Sequence, residues 1–371
     1  MKKIIRLTTV ATFAACSMTA MTAIAEDIKI AIAGPATGDV AQYGDMQFMG
    51  AKMAVEQINK AGGVDGKMLK AEIFDDACEP KQANLVANKI VNEGYKFVVG
   101  HLCSGATQPA STIYEDEGIV MITPASTSPE ISDRGYTMIF RTIGLDSDQG
   151  PTAATYIADK VKPKAVAVIH DKQQYGEGIA TSVRDSLKEK GVQVVMFEGI
   201  NKGDKDFSSL ISKMQKEKVD FVYYGGYHPE LGLLLRQSAE KNFKAQYMGP
   251  EGVGNKDIST IAGDASEGLL VTLPPAFDKR EENKDLVKAF EAKKEDASGA
   301  FVLTSYAAVK VIADAIEGAD STDTSKVAKY IHNNSFQTPM GEIAFNEKGD
   351  IANFKFEVYN WHKDGTKTAA E

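Results

Sequence analysis

Cysteine, histidine and basic charge are all scarce in this chain, and each shortage closes off a class of function. The five histidines (101, 170, 228, 332 and 362) are scattered, in no spacing that a metal site requires. No HExxH, CxxC pair, P-loop or GxSxG occurs, since Ser104 has Leu102 where the last motif needs glycine. Gly249-x-x-Gly252-x-Gly254 comes nearest to a phosphate loop, and it lacks the full dinucleotide pattern. Asp75-Asp76, at a strand end, reads as capping or solvated acids rather than a metal pair. The expectation is therefore a protein that is not an enzyme and holds neither metal nor cofactor. Acids exceed bases, with 51 Asp and Glu against 42 Lys and Arg for a net charge of −9. Such a chain has no electrostatic footprint for nucleic acid or anionic lipid.

What is present begins with a leader. Lys2, Lys3 and Arg6 precede an uncharged stretch over residues 7–22, and Ala23-Ile24-Ala25 is a small-x-small cleavage site. The apolar part is too short and too rich in Thr and Ser to span a membrane. Residues 1–25 are thus expected to be a signal peptide cleaved after Ala25. The alternative, a lipidated Cys16, suffers from Phe13 in the preceding Phe13-Ala14-Ala15. The leader carries three bases and no acid, so its removal takes the net charge from −9 to −12. What remains is long enough for two domains of ordinary size. Cys78 and Cys103 also remain. In an oxidising compartment they read as one disulfide closing a loop of about 25 residues, worth about 3 kcal/mol in the chain-entropy model. Two buried free thiols are the alternative.

Hydrophobic alternation and turn signals divide the chain into short α and β segments. Asp27 to Gly34 alternates Ile28, Ile30 and Ile32 and stops at Gly34-Pro35, a strand running into a turn. Met46, Met49, Met53, Ala54 and Ile58 then fall at helical spacing as far as Gly62-Gly63. Strands are expected at 69–75, 97–99 and 119–122, with helices at 81–92 and about 106–117. After Arg141 the rhythm restarts. Helices are expected near 151–161, 177–190, 207–218 and 228–241, with strands at 164–170, 193–197, 220–224 and 246–248. A strand at 269–273, helices near 283–294, 301–319 and 325–334, and a last strand at 354–361 complete the reading. Alternation at this spacing specifies parallel sheets with helices on both faces, in two α/β domains of one type.

Loops that follow strands carry the ligand chemistry in such folds. Leu102-Cys103-Ser104-Gly105 and Ala125-Ser126-Thr127 offer hydroxyls and backbone N–H groups just before expected helix starts, a good place for a carboxylate. Glu251 stands alone among small residues in Pro250-Glu251-Gly252, which suits a cation. Tyr43, Tyr175 and Tyr227 each have glycine nearby and are expected in loops. Taken singly, these residues read as caps and packing; together, after successive strands of both halves, they read as a site.

The stretches VAQYGD, DDACEPKQA, GHLCSGATQPAS, YEDEGIVMITPA, GLDSDQGPTAA, HDKQQYGEG, DFVYYGGYHPE, MGPEGV and SGAF occur in that order. On these the chain resembles, over essentially its whole mature length, the periplasmic branched-chain amino-acid binding proteins of ABC transporters. That family comprises Leu/Ile/Val-binding and leucine-specific proteins of the type I solute-binding fold. The resemblance implies an α/β fold of two Rossmann-like lobes with parallel-rich sheets joined by three crossovers. Residues 26–145 plus 274–352 would form the N-terminal lobe, and 146–273 plus 353–371 the C-terminal lobe. It also implies a Cys78–Cys103 disulfide. It places a ligand α-carboxylate on Ser104 and Thr127. The α-ammonium would meet the Ala125 carbonyl, the Thr127 hydroxyl and Glu251, with a contact from Tyr227. Leu102, Tyr43, Tyr175 and Phe301 would wall the side-chain pocket; Leu102 and Phe301 enter through the resemblance alone. Tyr stands at 43 where leucine-specific members are expected to carry Trp, which leans toward the broader Leu/Ile/Val group. Gly105 replaces a Ser common in the family. The implied ligands are L-leucine, L-isoleucine and L-valine, the implied partner is an inner-membrane ABC permease, and the implied form is a periplasmic monomer. Related binders of another small amino acid or an amide, and a sensory module presenting its ligand, share the fold.

Overall fold

Buried β-branched runs form the strands, and amphipathic segments between them return the chain along the sheet faces. The computed structural model describes residues 27–371, so the leader and Cys16 lie outside the described residues. The first sheet has the order β2-β1-β3-β4-β5, all parallel. Its strands are β1 (Ile28–Gly34), β2 (Leu69–Asp75), β3 (Phe97–Gly100), β4 (Val120–Thr123) and β5 (Ile139–Arg141). Helices α1 (Ala41–Lys60), α2 (Pro80–Asn92) and α3 (Ser104–Asp116) connect the first four. Alternate residues of β1 enter two cores: Ile28, Ile30 and Ile32 face one, and Ala31 and Ala33 face the other.

After β5 the chain crosses to a second layer, beginning with α4 (Asp146–Tyr156). There follow β6 (Val166–His170), α5 (Gln174–Glu189), β7 (Val194–Gly199), α6 (Ser208–Lys216) and β8 (Phe221–Gly225). Next come α7 (His228–Glu240), β9 (Gln246–Gly249), α8 (Lys256–Ala262) and β10 (Leu269–Leu273). The chain then returns to the first layer with α9 (Lys284–Ala292), α10 (Val302–Gly318), α11 (Thr324–Asn333) and the hairpin β11 (Ser335–Thr338) and β12 (Gly341–Ala344). A third crossing delivers β13 (Glu357–Trp361) and β14 (Lys367–Ala369) to the second sheet, whose order is β14-β13-β10-β9-β8-β6-β7. Strands β6 to β10 are parallel there, and β13 and β14 are antiparallel additions.

The α/β class and the three crossings agree with expectation, and several boundaries do not. β5, β11, β12 and β14 have three or four residues each, too few to show a period. Helix α4 begins five residues before the expected start at Pro151, which sits inside it. Helix α8 goes unannounced, with Asn255 as its N-cap accepting from the Asp257 N–H at 2.8 Å. No helix among the described residues is long and apolar enough to cross a membrane.

Both sheets reverse strand order beside their first strand, between β1 and β3 in one and between β6 and β8 in the other. A crevice at the carboxyl ends of the strands forms at such a switch point. The loops singled out in the sequence follow β1, β3 and β4 in the first sheet and β6, β8 and β9 in the second, at and beside these two positions.

Candidate functional site

The first lobe supplies a rigid floor. His101, fully buried, places Nδ1 2.6 Å from Asp76 Oδ2 and Nε2 3.0 Å from the Tyr114 hydroxyl. Its carbonyl accepts from the hydroxyls of Thr107 (3.0 Å), Thr123 (2.7 Å) and Ser126 (3.2 Å). Ser126 also donates to the Leu102 carbonyl at 2.9 Å, so it ties the two loops together. Asp76 Oδ1 accepts from the Cys78 N–H at 2.8 Å, and Cys78 is bonded to Cys103 with their Cα atoms 5.5 Å apart. Asp76 is therefore a buried partner and not a solvated acid. Asp75 is a cap, accepting from the backbone of Ala36, Thr37 and Ala77.

On this floor Ser104 opens α3, and its Oγ accepts from the Ser128 N–H at 3.3 Å. The Ala125–Thr127 loop meets only a one-turn helix at Pro129–Ile131, shorter than the helix expected there. Arg141, fully buried, holds that loop from below. Its guanidinium donates to Asp350 Oδ1 (2.6 Å), the carbonyls of Ser126 (2.7 Å) and Ser128 (3.2 Å) and the Ser132 hydroxyl (2.8 Å). Ser104, Ala125, Thr127 and Leu102 are each 5% exposed or less.

The second lobe supplies the opposing wall. Glu251 sits in a single turn after β9, and its carboxylate accepts from Gln149 of α4 and, across the cleft, from the Thr127 hydroxyl at 3.5 Å. Gln149 also donates to the Thr272 hydroxyl at 2.8 Å. Burial pushes the Glu251 carboxyl up to about 7, against hydrogen bonds from Gln149, Tyr175 and Thr127 that pull it down. The Tyr175 hydroxyl also accepts from the Gly252 N–H at 3.1 Å, locking the turn that carries Glu251.

Four aromatic rings line the same space. Tyr43 meets Phe301 edge-on at 5.4 Å and His228 at 5.6 Å, and its centroid lies 6.4 Å from Tyr227. Tyr227 in turn lies 5.2 Å from Tyr175. Tyr227 is the N-cap of α7, whereas Tyr43 and Tyr175 lie in the first turns of α1 and α5 rather than in loops. All nine residues singled out from the sequence thus converge on one buried region between the lobes.

Gln149, His228 and Asn255 also belong to this region and were not foreseen. The Asn255 amide contacts His228 Nδ1 at 2.8 Å, and burial pushes the Tyr43 hydroxyl well above its ordinary range. The stretch GLDSDQGPTAA carried Gln149 in plain view, but a helix start placed at Pro151 left it in a loop. Around the rim, polar pairs bridge the lobes: Gln42 with Asp257, Gln174 with Glu130 (2.9 Å), Lys202 with Glu79, and Lys256 with Asp296 (3.0 Å).

A cleft between two α/β lobes, with hydroxyls on one wall and a carboxylate on the other, can enclose a small zwitterion. Comparison with known proteins agrees. The chain is 61% identical over 359 residues to the leucine-, isoleucine-, valine-, threonine- and alanine-binding protein of Pseudomonas aeruginosa, covering 97% of this chain and 95% of that one. It is 56% identical over 349 residues to the Leu/Ile/Val-binding protein of Escherichia coli K12, covering 94% and 95%. Among solved structures, the branched-chain amino-acid binding protein of Streptococcus pneumoniae in complex with isoleucine superposes with a TM-score of 0.84 at 26% identity, covering 93% and 99%. Residues 27–366 match the family described as periplasmic binding protein, and with that the chain belongs to the periplasmic binding proteins.

Proposed function

We propose that this protein is the periplasmic solute-binding component of a branched-chain amino-acid ABC uptake system. It takes L-leucine, L-isoleucine or L-valine between its lobes and delivers the ligand to inner-membrane permease subunits. The observation that carries this reading is the buried Glu251, set across the cleft from Ser104 and Thr127 with four aromatic rings beside it. Ser104 and Thr127 hold the α-carboxylate. The Ala125 carbonyl, the Thr127 hydroxyl and Glu251 hold the α-ammonium with a contact from Tyr227. Leu102, Tyr43, Tyr175 and Phe301 enclose the side chain. The lobes, 26–145 plus 274–352 and 146–273 plus 353–371, close about the three crossovers by hinge motion. The protein acts as an exported monomer and turns over no substrate.

Burying a Leu, Ile or Val side chain contributes about 1.5–3 kcal/mol. Charge-assisted hydrogen bonds to the two ligand charges add about 1.5–3 kcal/mol each, opposed by ordering and lobe closure. Micromolar binding needs about 8 kcal/mol, which such a site reaches. The polar groups read the amino-acid backbone, while one methylene in the pocket is worth only about 1–3 kcal/mol. The Pseudomonas relative, named for threonine and alanine as well, fits a pocket that grades small side chains rather than selecting one. A thermal-shift screen over the twenty amino acids tests the reading. Leucine, isoleucine and valine should give the largest rises in melting temperature, and a larger rise with aspartate or lysine would overturn it.

A further inference from the structure

Asp146, the first residue of α4, is 1% exposed, and neither of its carboxylate oxygens has a hydrogen-bond partner. Three residues along the same helix Gln149 donates to Glu251, so one face of α4 turns both side chains toward the cleft. The surroundings of Asp146 are rich in acid and poor in base. Glu251, from the turn after β9, and the hydroxyls of Tyr175, Tyr223 and Tyr227, from α5, β8 and the start of α7, share its field. Arg141, from β5, is the cation that bears on it. All of that guanidinium's nitrogens are engaged elsewhere, with Asp350, Ser126, Ser128 and Ser132. A buried carboxylate whose one cation is engaged elsewhere, and which burial and a neighbouring acid bear on more strongly than the Thr127 hydroxyl does, takes up a proton rather than remain charged. Glu251 differs, since Gln149, Tyr175 and Thr127 all donate to it. Donors are divided unequally between two neighbouring acids, so the negative charge settles where the donors are.

We infer that Asp146 stands in the closed site as a neutral carboxylic acid beside an ionised Glu251, so that the cleft presents one negative charge to one ligand ammonium. Burial raises the Asp146 carboxyl and the Glu251 charge raises it further, outweighing the Thr127 hydroxyl and the Arg141 charge that pull it down, in agreement with this direction. The inference rests on the zwitterion reading of the cleft and adds a charge count to it: the site is matched to a single cationic centre. A diamine or a cationic side chain finds no second anion there.

Infrared spectroscopy of the leucine-bound protein at about pH 8 tests it, where ordinary carboxyls are ionised. The difference between wild type and Asp146→Asn should contain the C=O stretch of a neutral carboxyl. A difference confined to the carboxylate stretches would overturn the inference. Carbon-13 labelling of aspartate in the wild type should shift the same band and serves if the variant does not fold. In titrations, Asp146→Asn should weaken leucine binding by no more than about threefold, and Glu251→Gln by more than fivefold, because only the latter removes charge. Equal losses would also overturn the inference. A wild type that binds no branched-chain amino acid sinks the ligand reading instead, whereas leucine binding without the neutral band sinks the charge assignment alone.

Discussion

Replacing Glu251 by Gln keeps the side-chain shape and removes the charge, so it separates the binding role of this residue from its cost to the protein. An ionised partner makes a hydrogen bond to an ammonium worth about 1.5–3 kcal/mol, against about 0.5–1.5 for a neutral one. The expected loss is about 1–2 kcal/mol, or about 5- to 30-fold in leucine affinity by titration calorimetry. The ligand-free protein should respond in the opposite sense. Its Glu251 pKa is raised from 4.5 to about 7 by burial, so the folded state holds this proton more tightly than the unfolded chain. The destabilisation is therefore fully present above about pH 7, shrinks as pH falls through the interval, and is gone below about 4.5. Full ionisation costs at most about 3 kcal/mol by this linkage. At pH of about 8 the Gln variant should thus melt at a higher temperature than wild type without ligand and gain less from leucine, the two curves converging at about pH 4. Unchanged affinity would remove Glu251 from the ammonium site, and a lower ligand-free melting temperature at the higher pH would refute the linkage argument.

Three further outcomes are expected. Tyr43→Trp enlarges the ring that touches Phe301 and His228, and competition titrations should show leucine favoured over valine more strongly than in wild type, by about 1 kcal/mol. Replacing Cys78 and Cys103 together by Ser opens a loop with a sequence separation of 25, which should lower stability in urea by about 3 kcal/mol and weaken ligand binding through the freed Ser104 loop. Asp350→Ala leaves the buried Arg141 guanidinium without its counter-charge, 2.6 Å away in the native protein, and should cost about 3–5 kcal/mol in urea unfolding.

Much of the site could be read from the sequence because its polar residues terminate apolar runs. Ser104, Thr127 and Glu251 follow β3, β4 and β9, and a strand that ends in small polar residues announces a crevice loop. The aromatic wall was legible by residue and misplaced by element. Gly44 and Gly176 beside Tyr43 and Tyr175 look like turn residues, yet both are helical. A Cβ on Gly44 would lie 1.8 Å from the Pro35 carbonyl oxygen, and one on Gly176 would lie 2.1 Å from Asp171 Oδ1. These glycines let the first helical turn sit against the strand end, a packing demand that has no local signature. Gln149, His228 and Asn255 act across distances of 27 to 123 residues in sequence, so pattern alone gives them no reason to stand out. Leu102 and Phe301 needed the family likeness for the same reason, since a buried leucine or phenylalanine reads as core wherever it occurs.

The polar pairs around the rim bear on time as much as on energy. Gln42–Asp257, Gln174–Glu130, Lys202–Glu79 and Lys256–Asp296 each join one lobe to the other around the rim. In the proposed binding cycle they must break before the ligand leaves. Their strength therefore acts on the escape rate and leaves the capture rate nearly untouched. All four pairs set a carboxylate beside an amide or a lysine, and the two ion pairs are exposed enough for salt to loosen them. The residence time of the cargo is in this way set apart from its recognition. A docking partner that pries the rim open can empty the cleft without competing for a single contact to the amino acid.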